Sequence, residues 1–343
     1  MESTGLPAST STLRRLGLAF ALLLTATYCL IVLGALVRAN GAGLACPDWP
    51  LCFGQVVPEF DLKIAFEWGH RTIAGIISSV FLMLSILALR NKEARAVVRR
   101  LIPLAAAVLV LQIILGAITV WKLLAVWSVT LHLLAGNAFA VLLLLLVRAL
   151  LEAAEPTPRE WLARSSSACV LTSATFGLLI VQVGLGGMVS SLYAGMACPE
   201  WPMCFQGRFV PTFFGPQGVH VLHRLSAYAL IPLLAICAWR TRGIPRLAFW
   251  HAAALLIGIA QVVVGIANVL LRLPAEVTGL HSALAASLVL ALAMATRETW
   301  RGLGARRAAA GGAKRASETS ASWVSANWAS APECSRISPD RGQ

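Results

Sequence analysis

The sequence predicts an all-α integral membrane protein with eight transmembrane helices, arranged as two four-helix bundles that repeat one another. Three observations lead to this prediction. The chain of 343 residues is 58% hydrophobic and only 13% charged, which is too few charges to cover a soluble protein of this size. It contains eight apolar segments, each of about 20 residues, the length that crosses a bilayer. Landmarks of the first half also recur in the same order in the second half.

The apolar segments define the predicted helices. The first continues past the apolar length of a signal peptide and lacks a small-residue cleavage site before Cys46, so we expect it to be retained. The eight segments lie at 16–38, 66–89, 101–121, 128–148, 168–190, 218–239, 248–271 and 278–297.

Basic residues predict the orientation of these helices. The net charge of +13 comes from short clusters between apolar runs, which indicates a membrane topology and not a nucleic-acid partner. One side carries Arg14, Arg15, Arg90, Lys92, Arg95, Arg99, Arg100, Arg159, Arg164, Arg240, Arg242, Arg246, Arg297, Arg301, Arg306 and Arg307. The other side carries Arg38, Lys63, Lys122, Arg208 and Arg272. The excess on the first side places both termini in the cytoplasm, in a bacterial inner membrane or its equivalent.

The two halves match at several landmarks. A shift of 152 residues lays Cys46 on Cys198 and Cys52 on Cys204, a shift of 153 lays His70 on His223, and a shift of 149 lays His132 on His281. Each half has an even number of helices, so we expect a parallel repeat. The predicted units are a cytoplasmic N-terminus (1–15), a first bundle (16–148), a linker (149–167), a second bundle (168–297) and a disordered cytoplasmic tail (298–343) that includes Cys334.

Four histidines lie inside apolar segments, where an ionisable side chain is costly and usually functional. His70 and His132 are each predicted about one turn into their helices, at similar depth near the outer face, and so are His223 and His281. Two imidazoles on facing helices at one depth can coordinate a haem iron. A single such histidine could instead only hydrogen-bond across helices, and a zinc site would want a third or fourth ligand.

Arginines follow two of these histidines directly. Arg71 and Arg224 are expected near the outer interface, where haem propionates would emerge and a guanidinium suits a carboxylate. His251 has no counterpart in the other half, so we expect it to have a structural or interfacial role.

The two halves differ at the position three residues before His70 and His223. Glu67 precedes His70, whereas His220 precedes His223. Residues three apart share a helix face, so the carboxylate would lie beside the first haem pocket and could take a proton. The alternative is that Glu67 is an interfacial residue favoured by the helix dipole. The role of His220, as a spare ligand or a hydrogen-bonding residue, stays open.

Together these motifs resemble the haem A synthases, over about residues 16–297. The resemblance rests on Glu67-x-x-His70-Arg71, the His-Arg pair at His223, the Leu-His pairs at His132 and His281, and the Cys-x5-Cys loops with Trp-Pro inside.

The resemblance implies an oxidoreductase that converts a methyl group of haem O to a formyl group by successive hydroxylations, giving haem A for terminal oxidases. It implies that the first half takes the haem O substrate near His70, His132 and Arg71, with Glu67 as the carboxylate linked to catalysis. It also implies a haem b cofactor in the second half, held by His223 and His281, with Arg224 at its propionates.

The partners that the resemblance implies are the haem O substrate, an electron donor, the haem O synthase that farnesylates haem b, and oxidase assembly factors. Membrane lipid surrounds the chain, and a homo-oligomer is left open. The main alternative is a di-haem cytochrome b-type electron-transfer protein with no chemistry on either haem. A transporter built from parallel repeats ranks last, because the histidines lie near one face.

The cysteine pairs complete the prediction. The predicted orientation makes both cysteine loops face outward, into a compartment where disulfides persist. We therefore expect Cys46–Cys52 and Cys198–Cys204 to close short caps beside each haem site. A structural staple is the preferred role, and a redox role of the first pair in delivering or shielding haem O is the alternative.

Overall fold

The computed structural model describes residues 8–155 and 166–301, and the predictions for the tail beyond residue 301 lie outside these ranges. The described chain is helical. Its helices are α1 (Ala8–Ala39), α2 (Leu62–Arg90), α3 (Lys92–Val98), α4 (Leu101–Trp121), α5 (Val126–Ala154), α6 (Ser166–Ser191), α7 (Gly215–Thr241), α8 (Pro245–Leu270) and α9 (Ala275–Arg301).

Eight of these helices, all except α3, are long and apolar enough to cross a membrane. The protein is therefore a multi-pass membrane protein, and the eight predicted helices are confirmed. Several helices run past the predicted segments. For example, α1 begins at Ala8 and α5 ends at Ala154. Hydropathy marks the part of a helix that lipid surrounds, whereas the helix itself continues until its backbone is capped. The cap of α2 is Asp61, whose carboxylate accepts hydrogen bonds from Lys63 N and Ile64 N.

Helix α5 lies at the centre of the described bundle. In its most apolar stretch 56% of the residues are buried, against 22% in that of α1. It packs against α1 and α4 on one side and against α6 on the other. Buried apolar side chains form one large core from residues 13–154 and a second from residues 179–295.

Polar contacts also join the two cores. The Tyr28 hydroxyl on α1 donates to Ala283 O on α9 at 3.1 Å and lies 3.0 Å from Ser287 Oγ. At the end of α1, Arg38 donates to Ser190 O at 3.0 Å and to Tyr193 Oη at 2.7 Å. These contacts hold α1 against α6 and α9.

The helix pairs that follow each long loop are packed differently. Helix α7 packs along α8, to which a short turn joins it. Helices α2 and α4 are not closely packed against each other, and α3 comes between them in the chain. These two helices of the first half are consequently less closely paired than α7 and α8.

Two long loops lie at one end of the bundle. Loop 1 (residues 40–61) joins α1 to α2, and loop 2 (residues 192–214) joins α6 to α7. The Trp49 ring contacts the Trp121 ring edge to face, with centroids 6.0 Å apart, which places loop 1 over the end of α4. The two loops cap the ends of the helices that carry the four paired histidines.

Candidate functional site

The four paired histidines lie at matched depths below the loops. His70 and His223 are each eight residues past the first residue of their helices, α2 and α7. His132 and His281 are each six residues past the first residues of α5 and α9. At about 1.5 Å per residue, this is a depth of roughly 9–12 Å along each helix. The predicted depth of one turn was wrong, because the helices begin earlier than hydropathy indicates.

The histidines are brought together as the predicted pairs. His70 lies near His132, and His223 lies near His281. The Nδ1 atom of each of the four is buried and has no hydrogen-bond partner among the described residues. Because a buried polar atom without a partner is costly, these sites favour a group that engages the rings.

The donor set fits a haem better than a bare metal ion. Among residues 8–155 and 166–301, no group of three or more His, Cys, Asp or Glu side chains lies together as a metal site. A haem iron takes four nitrogens from its own macrocycle and needs one or two axial ligands from the protein. Two imidazoles facing each other supply that number.

Two glutamines contact the histidines of α5 and α9, and the sequence prediction gave them no role. Gln112 Nε2 lies 3.3 Å from His132 Nε2, and Gln261 Nε2 lies 3.2 Å from His281 Nε2. The signal was present, because both glutamines open matched segments of the two halves.

Glu67 lies between helix α2 and loop 1. It is only 5% exposed. Its Oε2 accepts a hydrogen bond from Cys46 N at 2.8 Å, and its Oε1 accepts one from Arg71 Nη2 at 2.6 Å. The carboxylate is therefore charge-paired, and it fixes loop 1 one turn above His70.

Arg71 binds the inside of loop 1. Its Nη1 donates to Asp48 O at 2.6 Å and to Leu51 O at 3.0 Å, and its Nη2 donates to Cys46 O at 3.1 Å. A guanidinium can satisfy several carbonyl oxygens at once because its donors form a rigid fork. The disulfide-closed turn is thus wrapped around this arginine.

The second half repeats this arrangement with a histidine in place of the glutamate. Arg224 donates to Glu200 O and Met203 O, each at 2.9 Å, and to Cys198 O at 2.7 Å. His220 Nδ1 lies 2.8 Å from Ala194 O. Arg224 Nε donates to His220 Nε2 at 3.2 Å.

These contacts bear on the open question about His220. Both of its ring nitrogens are engaged in hydrogen bonds, which favours the hydrogen-bonding role. The two arginines have loop carbonyls as partners, which sequence reasoning did not foresee. Their contact with haem propionates stays a prediction.

The loops are closed internally in the same way. Disulfides join Cys46 to Cys52 and Cys198 to Cys204, which confirms the predicted pairing. Asp48 accepts hydrogen bonds from Phe53 N at 2.7 Å and Gly54 N at 2.8 Å. These bonds, led by the one from Gly54, lower the pKa of Asp48 below its ordinary value of 3.8. In loop 2, Glu200 accepts from Gln206 N at 3.0 Å and Gly207 N at 3.1 Å.

His251 lies at the other end of the bundle. It is fully buried, with Nε2 at 3.1 Å from Thr172 Oγ1 and Nδ1 at 2.9 Å from Leu247 O. Both nitrogens therefore have partners within the helix bundle, as expected for the predicted structural role.

Comparison with known proteins places these features in a family. The family model COX15-CtaA, described as cytochrome oxidase assembly protein, matches residues 18–65 and 58–293. The heme A synthase of Shewanella oneidensis is 31% identical, over 80% of this chain and 93% of that protein. The heme A synthase of Shouchella clausii is 30% identical, over 82% of this chain and 94% of that protein. The heme A synthase of Alkalihalophilus pseudofirmus is 28% identical, over 80% of this chain and 94% of that protein. With its eight membrane helices and its extended match to the family model, the chain belongs to the COX15-CtaA family of cytochrome oxidase assembly proteins.

Proposed function

We propose that the protein is a haem A synthase, an oxidoreductase that converts the methyl group of haem O to the formyl group of haem A by successive hydroxylations. The observation that carries this proposal is an asymmetry between two otherwise matched histidine pairs. A buried carboxylate, Glu67, lies one turn from His70, and the corresponding position in the second half is His220. The similarity to heme A synthases over most of the chain supports the same activity.

The first half is the substrate site in this proposal, and the second half holds haem b. His70 and His132 would bind haem O, and His223 and His281 would bind haem b. The looser packing of α2 against α4 supports this assignment. A farnesylated substrate must enter and its product must leave through the lipid, whereas a resident cofactor is better enclosed by the packed α7 and α8.

Haem b, when bound, supplies an electron-transfer centre next to the substrate site. The protein's own residues bind, orient and shield. Loop 1 covers the His70 side, and Arg71 keeps that loop on α2. Glu67 holds its negative charge against Arg71 and can take up a proton at Oε1 or Oε2 when the substrate displaces either of its present partners.

The proposed orientation places both loops on the outer side of a bacterial inner membrane or its equivalent, with both termini in the cytoplasm. The excess of basic residues at the opposite end supports it. Disulfides persist in an oxidising outer compartment, which is consistent with the two closed loops. The proposed partners remain the haem O synthase, an electron donor and oxidase assembly factors.

The test of this function is to purify the protein, extract its haems and identify them by mass. Recovery of haem b together with haem O, haem A or a hydroxylated intermediate supports the synthase. Supplied haem O and reductant should then yield haem A. Two equivalents of haem b, with haem O left unchanged, would favour the di-haem electron carrier instead.

A further inference from the structure

Each of the four paired histidines lies against a glycine on a neighbouring helix. A methyl group at the glycine would lie within 3.0–3.2 Å of the histidine Cε1 atom, whereas ordinary van der Waals contacts of this kind are 3.4–4 Å. The pairs are Gly34 with His70 at 3.0 Å, Gly116 with His132 at 3.2 Å, Gly186 with His223 at 3.2 Å, and Gly265 with His281 at 3.0 Å.

Among the described glycines, these four are the ones whose near neighbour is an imidazole, whereas Gly17, Gly258 and Gly279 are approached as closely by leucine side chains. Gly69, Gly75 and Gly177 are also in membrane helices, and a methyl group at any of them would meet nothing within 4 Å. Glycine weakens a helix, so four glycines at equivalent places in both halves need a local reason. At these four glycines, an imidazole occupies the space that a side chain would otherwise fill, which gives the local reason.

The contact is on the atom that matters for ring orientation. Cε1 lies between the two ring nitrogens, so a displacement there moves both. Metal-binding histidines are usually oriented by a hydrogen bond at the nitrogen that does not bind the metal. Whichever ring nitrogen binds the iron, no hydrogen bond at Nδ1 orients the rings of His70, His132, His223 and His281. Packing against the glycine is left to set the angle of the ring.

Two of the rings are also held from a second direction. Gln112 and Gln261 lie four residues before Gly116 and Gly265 on the same helices, and their amide nitrogens reach the Nε2 atoms of the facing histidines. One helix therefore presents both a flat glycine surface and a polar side chain to one imidazole. Helix α6 carries Gln182 four residues before Gly186, where its Oε1 accepts from Ser226 Oγ. Helix α1 carries Leu30 at that position.

We propose that Gly34, Gly116, Gly186 and Gly265 are positioning residues, each a seat that fixes the orientation of one haem-ligating imidazole. The proposal rests on the proposed function, since it takes the two pairs as axial ligands. In the second half, the seats set the ligand geometry of the resident haem. In the first half, they set the geometry in which the substrate haem is presented.

The first test uses the second half, where haem stays bound. Gly186→Ala is compared with Gly177→Ala on the same helix, whose added methyl group meets nothing. We expect Gly186→Ala to weaken haem b binding about tenfold or more, as other changes to ligand-orienting groups do. The haem that remains should show a shifted midpoint potential and a shifted low-spin electron paramagnetic resonance signal. Gly177→Ala should match wild type in all three measurements.

A double-mutant cycle separates this effect from general misfolding. In the haem-free protein, Gly186→Ala should lower the thermal midpoint when His223 is present and should not lower it in a His223→Ala background, where the methyl group has room. An equal fall of the thermal midpoint in both backgrounds, or unchanged haem spectra in Gly186→Ala, would contradict the proposed positioning role of Gly186. Wild-type protein that binds no haem would instead refute the proposed function, while the haem-free cycle would still report on the contact.

Discussion

Glu67 and His220 show how one position can be occupied by different side chains for the same local purpose. Each lies three residues before a paired histidine, and each bonds both to the long loop above it and to the arginine that follows it by four residues. Anchoring the loop therefore does not require an acid. Because a neutral side chain does this in the second half, the negative charge in the first half needs a separate explanation, and the role proposed for Glu67 in the reaction would provide one.

Glu67→Gln tests that explanation. The amide oxygen can still accept from one of the two present donors, Cys46 N or Arg71 Nη2, and the size of the side chain is unchanged, but the group can no longer take up a proton. We expect the variant to keep its haem content and to lose product formation by about 100-fold or more, the usual effect of removing a general acid or base. Conversion of haem O to haem A, followed by chromatography of extracted haems, measures it.

His220→Gln is the matched control for this change. It alters the equivalent hydrogen bonds in the half that lacks the acid, so product formation should fall far less than in Glu67→Gln. Similar losses in both variants would mean that Glu67 acts by anchoring the loop and not by its charge.

At the scale of an element, loop 1 is held firmly against helix α2. Arg71 lies in the membrane helix and reaches three carbonyl oxygens of the loop, while the disulfide holds those carbonyls in a tight turn around it. The loop and the helix should therefore open together or not at all.

Arg71→Lys tests this coupling. A lysine has a single ammonium group and cannot reproduce the fork of donors, and each charged hydrogen bond contributes about 1.5–3 kcal/mol. Losing even one should raise the open fraction of loop 1 about tenfold. The rate at which a phosphine reductant opens Cys46–Cys52, read by thiol alkylation and mass, reports this fraction.

The same molecule contains a reference for that measurement. Reduction of Cys198–Cys204, whose turn is wrapped around Arg224, should proceed at the wild-type rate. Arg208→Lys, at an exposed site of loop 2, should change neither rate. Unchanged reduction of Cys46–Cys52 in Arg71→Lys would show that the disulfide holds the loop without the arginine.

Acid should loosen loop 1 through Asp48. The hydrogen bonds from Gly54 N and Phe53 N lower the pKa of Asp48 in the folded loop, led by the bond from Gly54. A lowered pKa means that the carboxylate stabilises the loop fully above its ordinary value of 3.8 and loses this effect as the pH falls through the folded pKa. Reduction of Cys46–Cys52 should therefore accelerate at a pH below 3.8 and stay level above it.

Asp48→Asn is the control for the acid effect. It removes the titrating group, so reduction should already be faster at neutral pH, and the acceleration in acid should disappear. An acid response that persists in Asp48→Asn would assign it to another group.

At the scale of the whole molecule, the sequence predicted the features that repeat along the chain. It did not predict the contacts between residues that are distant in sequence. Apolar length predicted eight spans, and the matched spacing of His70 and His223 predicted their common depth relative to the loops. The partners of Arg71 were beyond prediction, because they depend on how a 22-residue loop folds back onto its helix. The glycine contacts were also missed, because a glycine has no side chain to mark a packed face.

The ion pairs that join the two halves were also missed, because they connect residues that are distant in sequence. Glu152, near the end of α5, is 12% exposed and accepts from Arg297 on α9 at 2.7 and 2.9 Å. Arg148 and Arg301 lie at 2.9 and 2.6 Å from the same carboxylate. Nothing in the sequence pairs residues that are about 145 positions apart. The structure shows a largely buried charge cluster where hydropathy had predicted only basic residues that set the topology.

This cluster gives a prediction about how firmly the halves are joined. Glu152→Gln would remove the carboxylate that Arg148, Arg297 and Arg301 share, and would leave Glu298, 2.7 Å from Arg297, as the remaining carboxylate of the cluster. Removing one partner of a buried ion pair costs about 3–5 kcal/mol, so the thermal midpoint in detergent should fall clearly. Glu155→Gln removes a nearby carboxylate that is 63% exposed and 3.9 Å from Arg14, and such a pair is worth about 1 kcal/mol or less. If both variants unfolded at the same temperature, the halves would be held by the α1–α9 and α5–α6 contacts alone, and the charge cluster would contribute little to the joint.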